Sequence, residues 1–176
     1  MLDMEKRKKR MILDEDSIAR RVKELGAEIT ARHPEGNVLL IGILKGSFIF
    51  MADLVRSVNM PVQVDFARIA SYGNDTVSCG NLKIIMDVDI PVKGRDVILV
   101  DDIVDTGLTL SEYRKCLLQR EPRTLEVAAF IDKTGRREKH VELDYCGFRV
   151  EGGFLVGYGL DCAEQDRHHG CVYTLE

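Results

Sequence analysis

The stretch from Asp96 to Leu110 reads Asp-Val-Ile-Leu-Val-Asp-Asp-Ile-Val-Asp-Thr-Gly-Leu-Thr-Leu, and it limits the chain to few architectures. Residues 97–100 are an unbroken β-branched and leucine run, the pattern of a strand covered on both faces. From Leu110 to Leu118, helix formers alternate with apolar residues at three- and four-residue steps, which predicts a helix. Between the two lie three carboxylates (Asp101, Asp102, Asp105), two hydroxyls (Thr106, Thr109) and Gly107. A strand feeding a helix in this way points to an α/β sheet, with its polar groups at the carboxyl end of a strand. That end is where open α/β sheets bind ligands.

The residue types suggest the ligand. The first turn of a helix has unpaired N–H groups and the positive end of the helix dipole. Asp105, Thr106, Gly107 and Thr109 therefore read as a phosphate cradle. The Gly-Lys-Ser/Thr of a Walker loop is missing. Asp101 and Asp102 would repel a phosphate unless they hold a cation or sugar hydroxyls, so a sugar phosphate with magnesium is expected. The plain alternative is a helix capped by Asp105. Three carboxylates in five residues argue against it.

The rest of the chain repeats the theme. A basic run at residues 5–10 reads as a solvated tail. Ile18, Val22, Leu25 and Ile29 form one stripe of a helix over 16–33. Residues 38–44 form a second buried strand, ending in Lys45-Gly46-Ser47 before a helix over 48–58. Strands follow at 62–69, 82–88 and 124–131, the last ending in Asp132-Lys133-Thr134. Another apolar strand near 154–160 ends in Asp161. With 176 residues, one domain is expected. The net charge of −4 argues against nucleic-acid binding. No apolar run is long enough to span a membrane, and no signal peptide is visible. The five cysteines have no zinc-ligand spacing and read as reduced thiols of a cytoplasmic protein.

Residues 100–109 resemble the 5-phosphoribosyl 1-pyrophosphate (PRPP) signature of the type I phosphoribosyltransferases. Aspartate before Thr-Gly is similar to the 6-oxopurine (hypoxanthine-guanine) branch. The resemblance runs from about Val38 to Arg167 with its motifs in order. It implies a central, mostly parallel sheet flanked by helices, with a core over about 37–135. A small hood would come from about 1–15 and 140–176.

The resemblance also implies roles. Asp101 and Asp102 would hold the ribose hydroxyls, directly or through magnesium. Asp105 through Thr109, including Leu108, would bind PRPP phosphate, with Asp105 also the general base near nitrogen 7 of the purine. Lys45 and Gly46 would bind pyrophosphate through a turn that often has a non-proline cis peptide. Ser71 and Tyr72 would lie on a closing loop. Lys133 would face the 6-oxo group, Phe154 would stack on the base and Leu155 would lie beside it. Asp161 would lie at the purine site and help hold magnesium, and Arg167 would lie near pyrophosphate. Where the family usually has aromatics, this chain has Cys162 and Asp166, and residues 167–171 lack its usual turn.

The implied reaction is hypoxanthine or guanine plus PRPP giving IMP or GMP plus pyrophosphate, a purine-salvage step by a homodimer or homotetramer. A xanthine-preferring enzyme and an RNA-binding pyrimidine-operon regulator are the rival readings on the same fold.

Overall fold

The computed structural model describes residues 8–71, 78–79 and 82–176. In chain order these form β1 (Lys9–Leu13), α1 (Glu15–Arg32), β2 (Val38–Leu44), α2 (Phe48–Ser57), β3 (Val62–Ser71), β4 (Ser78–Cys79) and β5 (Leu82–Met86). There follow β6 (Asp96–Val104), α3 (Leu108–Leu118), β7 (Thr124–Lys133), a 3-10 turn at Thr134–Arg136, β8 (Tyr145–Val150), β9 (Phe154–Val156) and β10 (Val172–Leu175).

The main sheet has the order β4-β5-β3-β2-β6-β7-β8. Strands β3, β2, β6, β7 and β8 are parallel; at one edge β5 pairs antiparallel with β3, and β4 antiparallel with β5. The apolar runs of β2 and β6 sit in its middle, where both faces need cover. Along them, alternate residues turn to opposite faces. Leu40, Ile98 and Val100 join Leu25 and Ile29 of α1 and Leu54 of α2. Leu39, Ile41 and Leu99 join Leu110, Tyr113 and Leu117 of α3. Helix α1 starts where Asp14 Oδ1 accepts from the Ser17 N–H at 2.7 Å. It crosses α2 at Gly26, where a Cβ would lie 2.4 Å from the Ser57 carbonyl oxygen.

Parallel strands bring all their carboxyl ends to one edge. The ends of β2, β6 and β7 there carry Lys45, Asp101 to Asp105, and Lys133. Strand β6 is longer than its apolar run, because the ladder with β7 continues through Asp101↔Ala129 to Val104↔Asp132. Asp101 and Asp102 thus belong to the strand rather than to the loop after it.

A second, antiparallel sheet β1-β10-β9 forms the hood. Lys9 and Arg10, expected in a solvated tail, are instead in β1, opposite Leu175 and Thr174. Backbone pairing draws them in, and Arg10 Nε also donates to Glu176 Oε1 at 2.7 Å. The main sheet extends past residue 135, since β8 adds to β7. Cys116 also departs from the reading as a reduced thiol: α3 turns it inward and it is disulfide-bonded, whereas Cys146, Cys162 and Cys171 are free.

At the opposite edge, Asp96 opens β6 and is only 5% exposed. Arg123 Nε and Thr124 Oγ1 donate to its Oδ1 at 2.7 and 2.9 Å. The Arg123 hydrogen bonds hold its carboxyl at about 2, against an ordinary 3.8. A depressed folded-state pKa stabilises the protein above the unfolded value, and that stability is lost as pH falls toward the folded one. Arg123→Met should therefore lower stability at pH 7. The gap from the unsubstituted protein should narrow between pH 5 and pH 2 in urea titrations. A gap independent of pH would show that Arg123 acts by packing alone.

Candidate active site

The passage from β6 to α3 is short. Val104 is the last ladder residue, Asp105 to Gly107 turn, and Leu108 begins the helix. Gly107 has φ 79°, and a Cβ there would lie 2.4 Å from the Lys139 carbonyl oxygen. Glycine meets both constraints. It is also the residue at the helix cap, with no side-chain cap hydrogen bond, so Asp105 is not the cap. A cavity of about 140 Å³ opens against this turn, lined by Asp101, Asp105, Thr106 and Thr109 among others. That is room for a phosphate group.

Asp105 faces the end of β7 instead. Lys133 Nζ lies 3.2 Å from its Oδ2, and Arg136 Nη1 lies 3.7 Å from the same oxygen. Lys133 is buried, at 8% exposure. Asp105 Oδ1 is buried and has no hydrogen-bond partner among the described residues. A buried carboxylate oxygen without a donor is costly, and a ligand N–H would satisfy it.

The Leu44–Lys45 peptide is cis, as the resemblance implies. Gly46 is pressed between two other site segments. A Cβ on it would lie 1.7 Å from Asp102 Oδ2, and its own carbonyl oxygen would meet a Cβ on Gly159 at 2.1 Å. Burial, and then the charge of Asp102, push the Asp101 carboxyl well above the usual carboxylate range. Burial also raises that of Asp102, with hydrogen bonds partly opposing it. An adjacent carboxylate pair that resists ionisation is suited to gain a cation or to accept from hydroxyls.

The loop after β9 closes the far side. Tyr158, at φ 50°, donates its hydroxyl to Asp53 Oδ2 on α2 at 2.6 Å, tying the loop to the body. Arg167 Nη1 donates to the Gly159 carbonyl at 2.7 Å, and Nη2 lies 2.9 Å from Asp161 Oδ1. Glu164, absent from the reading of the sequence, completes the cluster. Its Oε2 lies 2.9 Å from Lys45 Nζ and 3.2 Å from Arg167 Nη2. Arg167 is three residues on from Glu164 in the same loop, but nothing in the sequence signals the contact with Lys45, which follows the end of β2. Lys45 and Arg167, 122 positions apart, are thus brought onto one carboxylate oxygen.

Strand β9 presents Phe154 outward at 48% exposure and turns Leu155 into the core, as alternation requires. Leu155 has only its backbone to offer a ligand. The side chain of Ser71, the last residue of β3, and the whole of Tyr72 lie outside the described residues. Asp166 turns away toward the hood, where it accepts from Lys9 and His169. Among the described residues no three His, Cys, Asp or Glu side chains converge to hold a metal ion. Asp101, Asp102 and Asp161 therefore do not form a cage from protein alone.

The phosphoribosyl transferase domain family matches residues 9–163. The hypoxanthine-guanine phosphoribosyltransferase of Aquifex aeolicus (strain VF5) is 44% identical over 177 residues, covering 100% of this chain and 99% of that protein. The hypoxanthine-guanine phosphoribosyltransferase of Bacillus subtilis (strain 168) is 41% identical over 167 residues, covering 95% and 93%. Among solved structures, a hypoxanthine phosphoribosyltransferase from Staphylococcus aureus aligns with a TM-score of 0.90 at 34% identity, covering 100% of this chain and 97% of that one.

Proposed function

The chain belongs to the phosphoribosyl transferase domain family, and from that premise we propose that it is a purine-salvage enzyme joining hypoxanthine or guanine to PRPP. The products are IMP or GMP and pyrophosphate. The observation that carries the base specificity is the pair of Lys133 and Asp105, 3.2 Å apart at adjoining strand ends. One offers a buried cation to a carbonyl; the other has an open oxygen for an N–H. A 6-oxopurine presents both. A 6-aminopurine would set its amino group against the lysine, donor to donor. The curated relatives carry hypoxanthine and guanine in their names, which supports the same reading over a xanthine enzyme or an RNA-binding regulator.

In the proposed mechanism, the turn at Thr106 to Thr109 binds the 5-phosphate and fixes the sugar. Asp101 and Asp102 accept from the ribose hydroxyls. Lys45 and Arg167 take the pyrophosphate, which has to displace the Glu164 carboxylate that lies on them here. The bond from the sugar carbon to the pyrophosphate oxygen breaks as the purine nitrogen attacks, through an oxocarbenium-like state. Asp105 accepts the purine's proton, and Phe154 stacks on the ring. The donor set suits magnesium, held by Asp101 and Asp102 together with substrate oxygens and water, the usual manner for that ion. Magnesium bound there supplies charge neutralisation for the leaving pyrophosphate. Asp161, whose oxygens are engaged here by Arg167 and by the Glu164 N–H, would hold the ion with them only on exchange of those bonds.

A homodimer or homotetramer is part of this proposal; exposed Phe48, Ile85 and Met86 are apolar surface that an interface would cover. A cytoplasmic location is proposed with it. Among the described residues, no helix is long and apolar enough to cross a membrane.

A panel of bases with PRPP and magnesium, following pyrophosphate release, tests the function. Hypoxanthine and guanine are expected to turn over, with adenine and uracil slower by about 10²-fold or more. Uracil turnover equal to that of hypoxanthine would overturn the assignment.

A further inference from the structure

We propose that Arg137 is the positioning residue of the phosphate-binding turn, holding it in shape from behind without touching substrate. The inference rests on the reading that this turn binds the substrate phosphate. Beyond the 3-10 turn that follows β7, residues 137–139 pass along the back of the β6–α3 turn. Arg137 Nη2 donates to the Val104 carbonyl at 3.0 Å and Nε to the Asp105 carbonyl at 3.1 Å. The Glu138 and Lys139 N–H groups donate to the Thr106 carbonyl at 3.0 and 2.9 Å. Three successive carbonyls are therefore held from one side.

A trans peptide is planar, with its C=O and N–H pointing in opposite directions. Fixing the carbonyls of residues 104, 105 and 106 therefore turns the N–H groups of 105, 106 and 107 away from the strap. The 140 Å³ cavity lies on that other side, since its lining includes none of residues 137–139. Donors aimed in advance at an anion need not reorganise when it arrives, which is where their contribution to affinity comes from.

Arg137 is itself held. Its Nη2 pairs with Asp132 on β7, and the two side chains are 19% and 12% exposed. Its Cδ lies 3.3 Å from where a Cβ on Gly107 would be, so it also fills the space behind the glycine. One planar guanidinium serves two carbonyls and a carboxylate. The single ammonium of a lysine cannot span that arrangement. Lys133 and Arg137 are four residues apart on one turn, so the segment that recognises the base also shapes the phosphate site.

Arg137→Met and Arg137→Lys, with Asp132→Asn for comparison, test this. Ribose 5-phosphate is titrated calorimetrically, and KM for PRPP and for hypoxanthine are measured alongside kcat. Arg137→Met is expected to weaken ribose 5-phosphate binding and raise the PRPP KM by about tenfold or more, with the hypoxanthine KM within a few-fold. Arg137→Lys keeps a positive charge beside Asp132 and should still lose most of the effect. Asp132→Asn leaves the carbonyl contacts in place and should stay near the parent protein. Equal losses in Arg137→Met and Asp132→Asn would mean that Arg137 only neutralises Asp132, and would overturn the proposal. Unchanged ribose 5-phosphate binding in both Arg137 variants would overturn it too. If the parent protein binds ribose 5-phosphate no better than ribose, it is the reading of the turn as a phosphate site that fails.

Discussion

Asp105→Asn is expected to lower kcat by about 10²–10⁴-fold while fold and nucleotide binding persist, the usual cost of losing a general base. The physical case begins with position. Asp105 follows the last ladder residue of β6, and its carboxylate turns toward Lys133 rather than capping α3. One oxygen is committed to Lys133 and Arg136; the other is buried and has no hydrogen-bond partner among the described residues. As pyrophosphate departs, the attacking purine must lose a proton. A carboxylate accepts it and an amide cannot. Asparagine retains the shape, and its amide oxygen can still accept from Lys133. Because Gly107 is at the cap, no cap is lost either. Stability should therefore fall only modestly, on the order of 1 kcal/mol, from the weaker Lys133 contact. Steady-state kinetics checks the rate; circular dichroism and IMP titration check fold and binding. A kcat within a few-fold of the parent, with binding intact, would reduce Asp105 to a counter-ion for Lys133.

Lys133→Ala is expected to act mainly on the base. In the proposed mechanism the lysine meets the 6-oxo group before and during reaction alike, so its loss should appear in the base KM more than in kcat. A hydrogen bond from a charged group contributes about 1.5–3 kcal/mol, which is roughly 10–100-fold in KM. Its burial puts the estimate in the upper part of that range, since little solvent competes for it. The structure adds a second consequence. Without Lys133, the Asp105 carboxylate keeps, among the described residues, only Arg136, whose side chain is 70% exposed. The proposed general base then loses its close partner, so kcat should fall by a smaller factor. Residues in contact do not combine additively, and the double substitution with Asp105→Asn should cost less than the two single effects together. An unchanged base KM would remove Lys133 from the purine site.

By itself, the sequence determined the α/β class and the central buried strands, with ligand turns following them, but not where those strands end. Unbroken apolar runs such as residues 38–41 and 97–100 can be satisfied only with helices on both faces. A glycine beside polar residues at the end of such a run marks a ligand turn, because the chain must change direction there with its backbone close to something. That much follows from local rules: periodicity, caps and backbone conformation. Contacts between segments distant in sequence have no local signature. The sequence did not show that Asp101 and Asp102 lie inside β6, because the strand's length is set by the register of β7. It did not show that Lys9 and Arg10 form a strand, which depends on pairing with a segment some 160 residues away. Nor did it show that Glu164 lies on both Lys45 and Arg167, or that Arg137 grips the turn before α3. Only packing in three dimensions brings Lys45 within 3.5 Å of Glu164, and Arg137 within 3.5 Å of the carbonyls of the turn.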